Sequence, residues 1–227
     1  MVGHILGTIT FDDAELCAGD LSGDGFINVV DVVQVVQLIL GELVIEASSA
    51  EIIKTSTGVQ YKAEGNVGAF QITLTHEDNF SIELTKDALV AEYVTVDNKT
   101  TLVIVMPETG QLFTATGQYE ISEVLAANSD GLIESNVVTI DKFTLSNAYP
   151  NPFNPVTEFN IQLPSDGMLA LKVYDITGKK VDVIFEGFKN LGSFNYSWDA
   201  SGHSSGIYFI EAKFNNFNKI SKVLLTK

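Results

Sequence analysis

The 227-residue sequence contains no arginine, one cysteine (Cys17), one tryptophan (Trp198) and three scattered histidines, His4, His76 and His203. Each shortage excludes something. A lone cysteine cannot close an intramolecular disulfide. With 13 lysines, no arginine and 29 acidic residues, the formal charge is −16. Gripping a phosphate backbone takes clustered basic residues, so no nucleic-acid partner is expected. No apolar run approaches the roughly 18 residues of a membrane helix, so no membrane span is expected. There is no G-x-S-x-G elbow, no Gly-rich phosphate loop after a strand and no His/Cys cluster at zinc spacing. The chain is therefore expected not to be an enzyme.

What is present points to packed β-structure. Hydrophobic residues make up 45% of the chain and include 14 Phe and 7 Tyr, enough to fill real cores. The charge is uneven. Residues 1–141 carry 4 Lys against 22 acids, a net of −18, whereas residues 142–227 carry 9 Lys against 7 acids, a net of +2. Such asymmetry predicts separate modules. The first 50 residues hold eight acids and no Lys, a composition that attracts divalent cations. Residues 1–15 lack the basic and apolar regions of a signal peptide. Their loose alternation over residues 5–11 predicts a leading strand, the remnant of a longer secreted protein.

Residues 20–31 read Asp20-Leu21-Ser22-Gly23-Asp24-Gly25-Phe26-Ile27-Asn28-Val29-Val30-Asp31. Oxygen side chains fall at positions 1, 3, 5, 9 and 12 of this loop, and Gly25 stands at position 6, where a cation loop turns sharply. Calcium takes six to eight hard oxygens. The expected ligands are the side chains of Asp20, Ser22, Asp24, Asn28 and Asp31 and the backbone carbonyl of Phe26, with Ca2+ as the cofactor. Ile27 is expected to point inward, away from the ion. A helix over Val29–Leu40 follows, with Gly41 as its C-cap. Its polar residues Asp31, Gln34 and Gln37 cover one narrow face, so burial on several sides is expected.

This stretch resembles a dockerin repeat, with Asn28 and Asp31 at positions 9 and 12. It departs from that pattern in having one repeat instead of two, and Val29 and Val30 at positions 10 and 11. The expected module spans residues 16–45. Residues 46–141 then show short alternating runs separated by turn residues, which predict a sandwich or jelly roll. The run over residues 68–74 and the stretch over residues 117–131 resemble cohesin strands. The resemblance implies that the dockerin-like helix docks on a cohesin/dockerin-type partner, on a second copy or on this module of its own chain.

Residues 142–227 open with Tyr149-Pro150-Asn151-Pro152-Phe153-Asn154-Pro155, part of a stretch over residues 150–164 that holds four of the five prolines and reads as a stiff linker. About seven strands follow, an immunoglobulin-like sandwich. Together with the YPNPFNP entry of residues 149–155, Val173-Tyr174-Asp175-Ile176-Thr177-Gly178-Lys179, residues 198–209 and the terminal KVLLTK of residues 222–227 resemble the C-terminal sorting domain of proteins exported by type IX secretion. The resemblance implies the type IX machinery as a partner and a secreted location on the surface of a Gram-negative bacterium.

The fold class expected is mainly β: a cohesin-like jelly roll and an immunoglobulin-like sandwich, with one short calcium-loop helix near the N-terminus. The function expected is a non-catalytic, calcium-binding adhesion or scaffold region with a sorting domain. Two alternatives stand beside it: a scaffold or filament that assembles through helix-to-sandwich contacts between copies, and an accessory module of a carbohydrate-active enzyme.

Overall fold

A computed structural model describes residues 1–41 and 46–227 of the chain. The expected module boundary after residue 45 therefore falls at the edge of residues outside the described part. The chain divides into two units, Met1–Thr139 and Ile140–Lys227, each with its own core. The second boundary lies two residues before the one expected.

The first unit begins with helices α1 (Val2–Ile5), α2 (Asp13–Gly19) and α3 (Val29–Leu40). No strand forms over residues 5–11, and three helices stand where one was expected. α2 starts at a local capping box. Asp12 accepts from the Ala14 and Glu15 amides, and the Glu15 carboxylate accepts from the Asp12 amide, which starts α2.

Nine strands follow: β1 (Ser49–Thr55), β2 (Gly58–Ala63), β3 (Ala69–His76), β4 (Ser81–Leu84), β5 (Ala88–Val96), β6 (Lys99–Pro107), β7 (Gln111–Thr116), β8 (Tyr119–Asn128) and β9 (Gly131–Thr139). Their order is β4-β7-β2-β1-β9-β8-β3-β6-β5. Strand β9 pairs antiparallel with β8 at its start and parallel with β1 further on, so it joins two layers. Ile52, Phe70, Ile72, Leu74, Leu102, Ile104 and Phe113 fill the space between them. Strands β3 and β6 are buried on both faces. On the outer face Ala69, Val103, Val105 and, from β8, Ala127 lie beneath Val29, Val30, Val32, Val33 and Val36 of α3. That burial offsets the poor helix propensity of so many β-branched residues. Burial covers the first turns of α3, whereas Leu38, Ile39 and Leu40 are exposed.

The second unit is a sandwich of seven strands. β10 (Thr144–Leu145), β11 (Val156–Leu163) and β14 (Gly192–Asp199) form one sheet, in the order β10-β11-β14. β12 (Gly167–Asp175), β13 (Lys180–Lys189), β15 (Gly206–Phe214) and β16 (Phe217–Leu225) form the other, in the order β13-β12-β15-β16. Strict alternation on β11 and β12 sends Phe159, Ile161, Leu163, Leu169, Leu171 and Val173 inward, where they meet Trp198, Ile210 and Phe214. The protein is mainly β, built as two sandwich units.

Candidate functional site

The loop of residues 20–31 folds on its own amides. Asp20 Oδ1 accepts from the Gly23 and Asp24 amides at 2.8 and 3.1 Å and from Ser22 Oγ at 3.3 Å; Asp20 Oδ2 accepts from the Gly25 amide at 2.9 Å. Asp24 Oδ1 accepts from the Phe26 amide at 2.8 Å, and its Oδ2 accepts from Asn28 Nδ2 at 3.2 Å. Gly25 has φ of +87°, the left-handed turn that position 6 requires of a residue without Cβ. The Phe26 ring is exposed, and Ile27 turns inward, its Cδ1 close to the backbone of Gly19.

Asp31 is fully buried and closes the loop. Its Oδ1 accepts from the Ser22 amide and its Oδ2 from the Asn28 amide, both at 2.9 Å. Asn28 caps α3, its Oδ1 accepting from the Val30 amide at 2.8 Å. The helix start and the loop end are thus one hydrogen-bonded unit. The donor chemistry fits calcium, with three carboxylates, a hydroxyl, an amide and a carbonyl, all oxygen. Position 9 often acts through a water, which is compatible with Asn28 committing its oxygen to the helix cap. None of the ion pairs among the described residues involves these carboxylates. The carboxylates are spread along the loop on its amides. Among the described residues no three His, Cys, Asp or Glu side chains are gathered to share one metal ion.

In the second unit the motif residues have structural tasks. Asp175 Oδ1 accepts from Thr177 Oγ1 at 2.6 Å, the Thr177 amide at 2.8 Å and the Lys179 amide at 3.1 Å, which shapes the β12–β13 turn. The Thr177 hydroxyl bond, with the two amide bonds, holds the Asp175 carboxyl below its ordinary pKa. Trp198 is buried against Phe153 and Tyr208, and its Nε1 donates to Asp182 Oδ2 at 3.0 Å.

The stretch over residues 149–155, expected to be a linker, is instead a clip. Asn151 Nδ2 donates to the Lys222 carbonyl, and its Oδ1 accepts from the Leu224 amide, both at 2.9 Å. The Phe153 amide donates to the Leu224 carbonyl at 2.9 Å, and its carbonyl accepts from the Thr226 amide at 3.0 Å. The side-chain amide of Asn151 stands in for a strand backbone along the outer edge of β16. Sequence reasoning missed this because the partners lie about 70 residues apart.

Residues 147–226 match a secretion-system C-terminal sorting domain. A sorting domain addresses the chain that carries it to secretion. The match covers the second unit almost whole and none of the first. No curated protein matches the chain. Among solved structures, a titin I-band fragment is 14% identical, with 82% of this chain and 64% of that one covered, at a TM-score of 0.25. Dimeric latent PorU from Porphyromonas gingivalis is 16% identical, covers 82% of this chain and 19% of its own, and scores 0.31. PorZ of the same organism, described as an essential surface component of the type IX secretion system, is 16% identical over 76% of this chain and 20% of its own, at 0.25. The chain thus spans about two thirds of the titin fragment and about a fifth of PorU and PorZ. No helix among the described residues is long and apolar enough to cross a membrane.

Proposed function

We propose that this chain is a non-catalytic, calcium-binding adhesion and scaffold region of a secreted bacterial protein, exported by type IX secretion and held at the surface of a Gram-negative cell through its C-terminal domain. The observation that carries this reading is the sorting-domain match over residues 147–226. The calcium part is supported by the all-oxygen donor set and by the coupling of the loop to α3. Asp31 and Asn28 belong at once to the loop and to the start of α3, so ordering the loop fixes the helix. The helix lies on β3, β6 and β8 of its own unit. That packing favours a clip within one chain over helix exchange between copies. Bound calcium would supply the positive charge that Asp20, Asp24 and Asp31 lack.

The test of export uses the full chain behind an inner-membrane export signal, in a type IX-competent bacterium and in the same strain without the machinery. Surface exposure is expected only in the competent strain; periplasmic retention in both overturns the export reading. The test of calcium is calorimetry with light scattering. Calcium at a hundred times its Kd is expected to add about 2.7 kcal/mol to the first unit at constant monomer mass. A transition that ignores both calcium and chelator overturns that part.

A further inference from the structure

The Asn151–Phe153 clip covers only half of the β16 edge. It engages the Lys222 carbonyl, both Leu224 backbone groups and the Thr226 amide. Alternation along a strand then places the amides and carbonyls of Asn218 and Ile220, and the amide of Lys222, on the same outer side. No hydrogen bond among the described residues takes them. This open half is also apolar at its surface, with Phe217 and Ile220 61% and 62% exposed.

Two other edges of the unit are blunted. β10 is two residues long. β13 slips register twice against β12. Where β13 and β14 meet, Lys189 Nζ lies over the rings of Phe185 and Phe194 at 5.1 and 4.7 Å. β16 offers several consecutive backbone groups in an even register, beside a half of its edge already taken by the clip.

The charge around it is one-sided. Lys213 is paired with Asn218, Lys219 with Ala212 and Lys222 with Phe209 across the β15–β16 ladder. The nearby carboxylate, Glu211, already accepts from Asn218 Nδ2 at 3.0 Å. A second copy laid on this edge would bring lysines against lysines, which destabilises a strand pair. A strand with acidic residues meets the opposite situation.

We infer that the outer edge of β16 over residues 218–222 is a strand-addition site for an extended acidic segment of a protein of the export machinery. Main-chain bonds supply the attachment, and Lys213, Lys219 and Lys222 select the charge. The clip shows that this edge accepts strand-like partners, and it confines addition to the first half of the strand. The inference rests on the export reading above.

The test is surface display of the full chain in a type IX-competent bacterium. Ile220→Pro deletes an outward amide and leaves the ladder with β15 intact. Lys219→Glu/Lys222→Glu reverses the charge without touching the backbone and decides the matter should the proline variant lose its fold, judged by its melting transition. Each folded variant is expected to lower surface display at least about tenfold. Wild-type display by both the charge reversal and a folded Ile220→Pro overturns the strand-addition site while leaving export intact. A wild-type chain that is not exported overturns the export reading and this site with it. Growth in mass of the charge-reversed chain alone, with display unchanged, overturns the site by showing that the lysines only keep copies apart.

Discussion

Asp31 illustrates how one side chain can join local and tertiary structure. Its carboxylate is buried, and the two amides it receives belong to opposite ends of the loop. Bonds to a charged acceptor contribute about 1.5–3 kcal/mol each, and removing the acceptor strands two amides. Asp31→Ala is expected to cost the first unit about 3 kcal/mol or more in urea unfolding and to abolish its response to calcium. Asp175 makes a prediction of the opposite pH sense to a histidine switch. Its folded pKa is lowered, chiefly by the Thr177 hydroxyl. The stabilisation is present above the ordinary aspartate value, near 3.9, and fades as pH falls through the lowered folded value. Asp175→Asn is therefore expected to lower the melting temperature of the second unit at pH 7, with the difference vanishing in strong acid.

At the scale of elements, α3 depends on close approach to its sheet. A Cβ built on Gly68 would stand 2.7 and 2.8 Å from the two γ-methyls of Val33 and 3.1 Å from the Ala127 carbonyl. Gly68→Ala is expected to destabilise by about 1–3 kcal/mol through overpacking. Val33→Ala in the same chain is expected to recover part of that loss, a coupling readable in a double-mutant cycle. The clip on β16 makes a matching prediction. Asn151→Ala removes both bonds to the edge, so hydrogen exchange of the Leu224 amide is expected to accelerate, at a cost of about 1–2 kcal/mol. An unchanged Leu224 exchange rate would show that Phe153 alone holds the segment in place.

For the whole molecule, separate cores in the two units, and a net charge of −17 on residues 1–139 (4 Lys, 21 acids) against +1 on residues 140–227 (9 Lys, 8 acids), imply separate responses to one solution. Calcium is expected to raise the calorimetric transition of the first unit and leave that of the second unchanged, because all six expected donors lie in residues 20–31. A shift of both transitions by the same amount would place the calcium effect elsewhere. The division of labour is also electrostatic. The acidic unit favours cations and solubility, and the lysine-bearing unit presents the open strand edge.

Part of this architecture was legible in the amino-acid sequence. The mainly β class followed from alternation, because a period of two is local. The cap that Asn28 forms on α3 was not foreseen, whereas the sharp turn at Gly25 and α3 with Gly41 after it were legible from spacing, since a turn or a cap involves residues three or four apart. The seven strands of the second unit were legible for the same reason. The capping box of Asp12 and Glu15 is equally local, a D-x-x-E spacing that marks the start of α2 in the sequence itself. What only the tertiary structure decided depends on distant partners. The half-burial of α3 is set by how far β3, β6 and β8 extend beneath it. The conversion of a proline-rich stretch into an edge clip needs Asn151 to meet Lys222 and Leu224. The open half of β16 exists because that clip stops short. Hydrophobic pattern and turn chemistry act between neighbours in sequence; which edge is covered and which is left open is fixed by contacts that no local pattern encodes.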